Sequence, residues 1–80
     1  MPSLRRMSGR AVLVVFQSFG FEVESQAGSH VKLRRVGPNG EMQTLTIPNH
    51  SELDTGTLRA IIRQATRYVA NDELNRHFYR

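Results

Sequence analysis

The chain has 80 residues, 39% of them apolar and 22% charged, with no Cys and no Trp, which is enough sequence for one core and excludes multi-domain enzymes and wholesale disorder. The missing cysteines exclude disulfide scaffolds, thiolate zinc sites and cysteine nucleophiles, and leave packing as the means of holding the fold. Net charge is +4, and ten of the eleven cations are Arg, whose planar fork fits phosphate oxygens, so a polyanionic partner is favoured, with an acidic protein fitting equally well.

Ser8 is followed by a run to Phe19 and then Gly20, with Val12, Val15, Phe16 and Phe19 at i, i+3, i+4 and i+7. This reads as an N-capped helix closed by a glycine. The β-branched stretch from Val12 to Phe16 also fits a buried strand. Leu13 and Val14 fall off the core stripe, as a contact surface or a wider buried face would explain. The longest apolar run is Ala11 to Phe16, far below the roughly 20 residues of a membrane span. Arg5, Arg6 and Arg10 are not followed by a cleavable apolar stretch, so an unprocessed chain without a membrane is expected.

Phe21 to Gln26 alternates apolar and polar, Ala27-Gly28-Ser29 reads as a turn, and His30 to Val36 alternates again. Gly37-Pro38-Asn39-Gly40 is a second turn before Met42 to Ile47. A three-stranded meander follows. Pairing Phe21, Val23 and Ser25 with Arg35, Leu33 and Val31, and these with Gln43, Leu45 and Ile47, makes one mostly apolar face. The other face then pairs Glu22 with Arg34, Glu24 with Lys32 and Gln26 with His30, the first two being opposite charges.

After Pro48, Thr55 to Val69 places Leu58, Ile61, Ile62, Ala65 and Val69 on one helical face, with Asp54 or Thr55 as cap. A short last helix after Asn71 has Leu74 and Phe78 as anchors. The expected architecture is α+β, a two-layer α-β-β-β-α sandwich with a short C-terminal helix, both main helices on one side and the polar strand face open. Residues 1–80 form one domain, with a core of about 8–69 and an extension over 70–80.

The sharpest local feature is Gly28-Ser29-His30. Gly28 allows a positive φ, and His30 opens the second strand on the polar face beside Lys32 and Arg34. The antiparallel third strand ends beside that point, which brings Asn49 and His50 towards His30. The helix start at Thr55 to Thr57, including Gly56, offers backbone N–H groups to a phosphate, with Arg59 behind it. Such a set suits RNA cleavage without a metal. The ribose 2′-OH is an internal nucleophile, so the protein needs a base that works near neutral pH, which histidine supplies, and cations to stabilise charge developing on phosphorus.

Other chemistries fit less well. His30, His50 and His77 lack metal-ligand spacing and have no carboxylate placed with them, so no metal and no cofactor is expected. There is no Gly-rich nucleotide loop, and His77 receives no role. Arg59, Arg63 and Arg67 form a stripe that serves as a phosphate track or an acidic-partner edge, or simply as a solvated helix face.

At Gly28-Ser29-His30-Val31, then Ile47-Pro48-Asn49-His50 and Gly56-Thr57-Leu58-Arg59-Ala60-Ile61-Ile62, the chain resembles the HicA family, the RNA-cleaving half of bacterial HicA-HicB toxin-antitoxin pairs. The resemblance runs from about Ser8 to Val69. It implies a double-stranded-RNA-binding-like fold and a ribosome-independent mRNA interferase whose active histidine is His30. It also implies a HicB-like antitoxin that blocks that site, and a bacterial cytoplasmic setting. The first helix is more apolar than the charged helix expected of the family, and residues beyond Val69 lie outside its minimal core.

The leading expectation is thus a small endoribonuclease. His30 is the general acid or base, Lys32 with Arg34 or Arg35 holds phosphate, and Gly28, Ser29, His50, Gly56, Thr57 and Arg59 contribute to RNA binding. A non-catalytic RNA-binding module using the same basic face is the alternative. A third possibility is a structural protein whose cations serve only an acidic partner chain.

Overall fold

The computed structural model describes residues 2–80. The elements run α1 (Gly9–Ser18), β1 (Glu22–Ala27), β2 (His30–Val36), β3 (Met42–Pro48), α2 (Thr55–Ala65) and α3 (Asn71–Phe78). Ser8 caps α1, its Oγ accepting from Ala11 N at 3.0 Å, and Gly20 leaves the helix at φ +93°. The strand alternative for Val12 to Phe16 is thereby settled as helix. A side-chain cap satisfies an end donor, and Val12 and Phe16, one turn apart, share a buried face.

The sheet is antiparallel with order β1-β2-β3. Between β2 and β3 the expected register holds throughout: Val31↔Ile47, Leu33↔Leu45 and Arg35↔Gln43. These positions are buried except for the half-buried Arg35, because β2 and β3 lie under the helices. Between β1 and β2 the expected register holds at Glu22↔Arg34 and Val23↔Leu33, and then a bulge intervenes. Ser25 pairs with Lys32, Gln26 with Val31 and Ala27 with His30, one residue away from the uniform alternation. Glu24 still reaches Lys32, at 3.9 Å. A bulge adds one residue to one strand and increases its twist, a common device on an edge strand that must not recruit another chain. Val23, expected under the helices, is 50% exposed, since α1 and α2 both pack on β3 rather than over this edge.

α2 begins as expected but ends at Ala65, short of Val69. The Thr66 hydroxyl donates to Arg63 O at 2.6 Å, and Tyr68 N and Val69 N both return to Ala65 O. This turn still buries Val69, and it leaves Arg67 beyond the helical stripe. α3 forms over the expected residues, with Leu74 and Phe78 fully buried. Phe16 is the hub of the core, its ring centroid 5.9 Å from Phe21 and 5.8 Å from Phe78. The C-terminal extension therefore completes the core. Its last residues also pair with the segment before α1, through a Leu4↔Tyr79 bridge and an Arg5 N to Phe78 O bond of 2.8 Å. With two helices on one side of the sheet and the other side open, the architecture is the expected α+β sandwich. No helix is long and apolar enough to cross a membrane among the described residues.

Candidate nucleic-acid interface

Alternation along β2 sends Val31 and Leu33 into the core and leaves His30, Lys32 and Arg34 exposed on the open side. Their cross-strand neighbours on β3 are Pro48, Thr46 and Thr44. Same-side residues two apart on a strand lie about 7 Å from one another, comparable with the spacing of phosphates along a nucleic-acid strand. The Lys32 to Glu24 contact is long and water-exposed. Such a pair contributes at most about 1 kcal/mol and gives way readily to a stronger anion.

At the His30 end, Gly28 has φ +59° with nothing near the place a Cβ would occupy, so glycine is needed there for backbone conformation alone. Gln26 Nε2 donates to Gly28 O at 2.9 Å. Asn49 N donates to Ser29 O at 2.6 Å, and His50 Nε2 lies 3.2 Å from Ser29 Oγ. The convergence of Ser29, His30, Asn49 and His50 expected from the antiparallel return of β3 is therefore present. The His50 loop is held from behind, because Gly9 N donates to His50 O at 2.8 Å. A Cβ on Gly9 would overlap Pro48 O and approach Asn49 Cα. Gly9 is the structural contributor that sequence reasoning missed. The available signal was a glycine directly after a serine cap, where a good helix former would ordinarily stand.

Three other expectations meet a different geometry. Arg35 lies on the helix-facing side, where the expected register put it, and so does not join Arg34 on the open face to hold phosphate. Its guanidinium donates to Phe19 O at 2.8 Å, Tyr68 O at 3.1 Å and Gln43 Oε1 at 2.8 Å, and lies 4.7 Å from the Phe21 ring centre. Each of the three guanidinium nitrogens donates one bond, and together they join α1, the α2 exit and the sheet. The α2 start is not the open anion cradle expected at Gly56 and Thr57. Asp54 Oδ1 accepts from Thr57 N at 2.7 Å, so a carboxylate already occupies the phosphate position. Bonds from the Thr57 N–H and hydroxyl, with a further one from the Gly56 N–H, hold the Asp54 carboxyl below its ordinary range and keep that charge in place. Arg59 is exposed on α2, in the helical layer rather than on the open strand face. Among the described residues no group of three or more His, Asp or Glu side chains gathers as metal ligands.

The exposed imidazole of His30 shares the open strand face with two cations, Lys32 and Arg34, and a second imidazole, that of His50, is tied to the adjacent Ser29. A family model described as the HicA toxin of bacterial toxin-antitoxin systems matches residues 9–66. No curated protein and no solved structure matches the chain significantly.

Proposed function

The chain belongs to the HicA toxin family of bacterial toxin-antitoxin systems, and from that premise we propose that it is a cytoplasmic mRNA-cleaving endoribonuclease with His30 as its general acid/base. The observation that carries this reading is the exposed His30 at the strand start, with Lys32 and Arg34 beside it on the open face. RNA lies along β2, its phosphates paired with Lys32 and Arg34. The His30 imidazole removes the proton from a ribose 2′-OH. The freed oxygen forms a bond to the adjacent phosphorus, the bond from phosphorus to the 5′-oxygen breaks, and that oxygen takes a proton from water or from the imidazolium. The two cations stabilise the charge that builds on the phosphoryl oxygens. The nucleophile belongs to the substrate, so the step asks for no metal.

Gly28 and Ser29 set the direction of the His30 backbone, and His50, through Ser29, lines the approach of the neighbouring phosphate. Arg59, at the margin in the helical layer, makes at most a peripheral phosphate contact. Family membership implies an antitoxin. We propose that it is HicB-like and occupies the strand face that RNA needs, since a standard interface of about 800 Å² per partner covers much of one face of so small a domain.

Labelled RNA incubated with the pure protein and with His30→Ala tests this reading. Cleavage is expected to fall about 10²- to 10⁴-fold in the variant, with RNA affinity and melting temperature nearly unchanged, and to persist in EDTA in the parent protein. A folded, fully active His30→Ala protein overturns the role of His30, and chelator-sensitive cleavage overturns the metal-free step. Loss of affinity in His30→Ala as large as that of Lys32→Ala or Arg34→Ala would favour the non-catalytic RNA-binding module.

A further inference from the structure

Away from the strand face, α1, α3 and the segment preceding α1 enclose an open groove of about 580 Å³. Its cationic lining is Arg5, Arg10 and Arg76, with the His77 imidazole beside them, its most exposed apolar side chain is Val14, and no carboxylate among the described residues lines it. Arg10 and Val14 are one helical turn apart and so share a face of α1. Val14 is 58% exposed, whereas Leu13, its neighbour off the core stripe, packs partly against the core. Arg76 and His77 occupy the last turn of α3, and the His77 ring stands edge-on to Phe19 at 5.3 Å, which fixes that wall.

Asp72 and Glu73 lie one turn earlier on α3 and do not line the groove. Among the described residues the ion pair within 4.0 Å is Lys32 with Glu24, so the three guanidiniums face the groove without a carboxylate partner. Concentrating cations of one sign around a concave surface raises a potential that attracts an anion. The apolar wall decides which anion. A nucleic-acid backbone would satisfy the arginines and leave Val14 against water, whereas an acidic protein segment with an aliphatic side chain satisfies both.

We propose that this groove docks an acidic, amphipathic segment of a protein partner, with carboxylates on Arg5, Arg10 and Arg76 and an aliphatic side chain against Val14. The inference does not depend on the RNA-cleaving reading, because the groove belongs to the helical layer and shares no residue with the open strand face.

The test titrates the isotope-labelled full chain with a synthetic Glu-rich peptide carrying two leucines one helical turn apart, in parallel with oligouridylate, following backbone amide shifts. The peptide is expected to move amides of α1 around Arg10 to Val15 and of α3 around Arg76. Arg76→Glu is expected to weaken the peptide about tenfold or more, and Val14→Ser about three- to fivefold. Both side chains are exposed, and thermal unfolding of each variant verifies the fold; Arg5→Glu replaces Arg76→Glu should the latter melt early. RNA cleavage by these variants is expected to equal that of the parent. Peptide shifts confined to β2 and β3, an unchanged affinity in Val14→Ser, or oligouridylate perturbing the groove more strongly than the peptide would each overturn the proposal. Absent RNA cleavage alongside normal peptide binding would count against the nuclease reading alone.

Discussion

At the Arg35 end of the sheet, one guanidinium is bonded to the Phe19 and Tyr68 carbonyls and to Gln43 and lies over Phe21. At the His30 end, the ring stands exposed at a strand start and the local bonds run between Ser29, Asn49 and His50. Arg34 and Arg35 are adjacent in the chain, yet one belongs to the open surface and the other to the scaffold. Strand alternation alone separates them. A residue type suited to phosphate is therefore a binding candidate only after its side of the sheet is known. The buried-side arginine does what a long cation with several donors does best in a small domain: it satisfies carbonyls left over at two helix exits.

The contrast breaks most visibly at Arg35→Ala. Removing the fork leaves the Phe19 and Tyr68 carbonyls and the nearly buried Gln43 short of partners, and a loss of about 2–3 kcal/mol in urea unfolding is expected. Arg35→Lys is expected to recover only part of it, since an ammonium does not reproduce the planar fork. A stability change within about 0.5 kcal/mol in Arg35→Ala would show that the hub is ornamental.

Gly9→Ala probes the opposite end. The added methyl meets the Pro48 carbonyl and the Asn49 backbone, so the loop bearing His50 must move. Overpacking of this kind costs about 1–3 kcal/mol, offset in part by the better helix propensity of alanine. Loss of stability together with shifted amide resonances at Ser29 and His50 is the expected result, and unchanged resonances there would contradict the docking of α1 on that loop.

Arg34→Ala is the surface counterpart of Arg35→Ala. Its unfolding free energy is expected within about 0.5 kcal/mol of the parent. Its RNA affinity is expected to drop, with the log-log salt slope shallower by about one phosphate's worth. A variant that loses stability and keeps its salt slope would reverse the assignment of the two arginines.

The smallest effect is acid sensitivity at the Arg35 end. Hydrogen bonds from the Glu41 backbone N–H, the Gln43 side-chain amide and the Asn39 N–H, with the Arg35 charge nearby, hold the Glu41 carboxyl below its ordinary range. A folded-state value below the unfolded one means that the stabilisation is complete above the ordinary carboxylate range and fades as pH falls through the lower, folded value. Urea midpoints of Glu41→Gln are therefore expected to fall less steeply with acidification than those of the parent. Parallel acid limbs in the two proteins would remove Glu41 from the account.

Much of this organisation was legible beforehand. The apolar alternation of Val31 and Leu33 against Leu45 and Ile47 fixes the β2-β3 register, because slipping either strand by one residue would turn its two aliphatic side chains to the open side. No such penalty guards β1 after Val23. Glu24, Ser25 and Gln26 are all polar, so shifting them by one residue costs no burial, and the bulge left no trace in the pattern. The end of α2 was hidden for a related reason. Its stop is a change of backbone bonding after Thr66, where Arg67 N and Tyr68 N donate to Gln64 O and Ala65 O three residues back, without the Gly or Pro that marks a helix end in sequence. Asp54 was read as a cap, but that its carboxylate fills the place assigned to a phosphate depends on a side-chain rotamer.

By itself the sequence determined the element order, the α+β class, the central register and the meeting of Ser29 and His30 with Asn49 and His50, because burial periodicity and antiparallel return are short-range consequences of residue order. Tertiary structure alone decided that Arg35 bridges elements, that Gly9 seats α1 against the His50 loop, and that the 70–80 extension supplies Phe78 to the Phe16 hub. Each of these depends on which side chains meet across elements distant in sequence, and no local pattern encodes such a meeting.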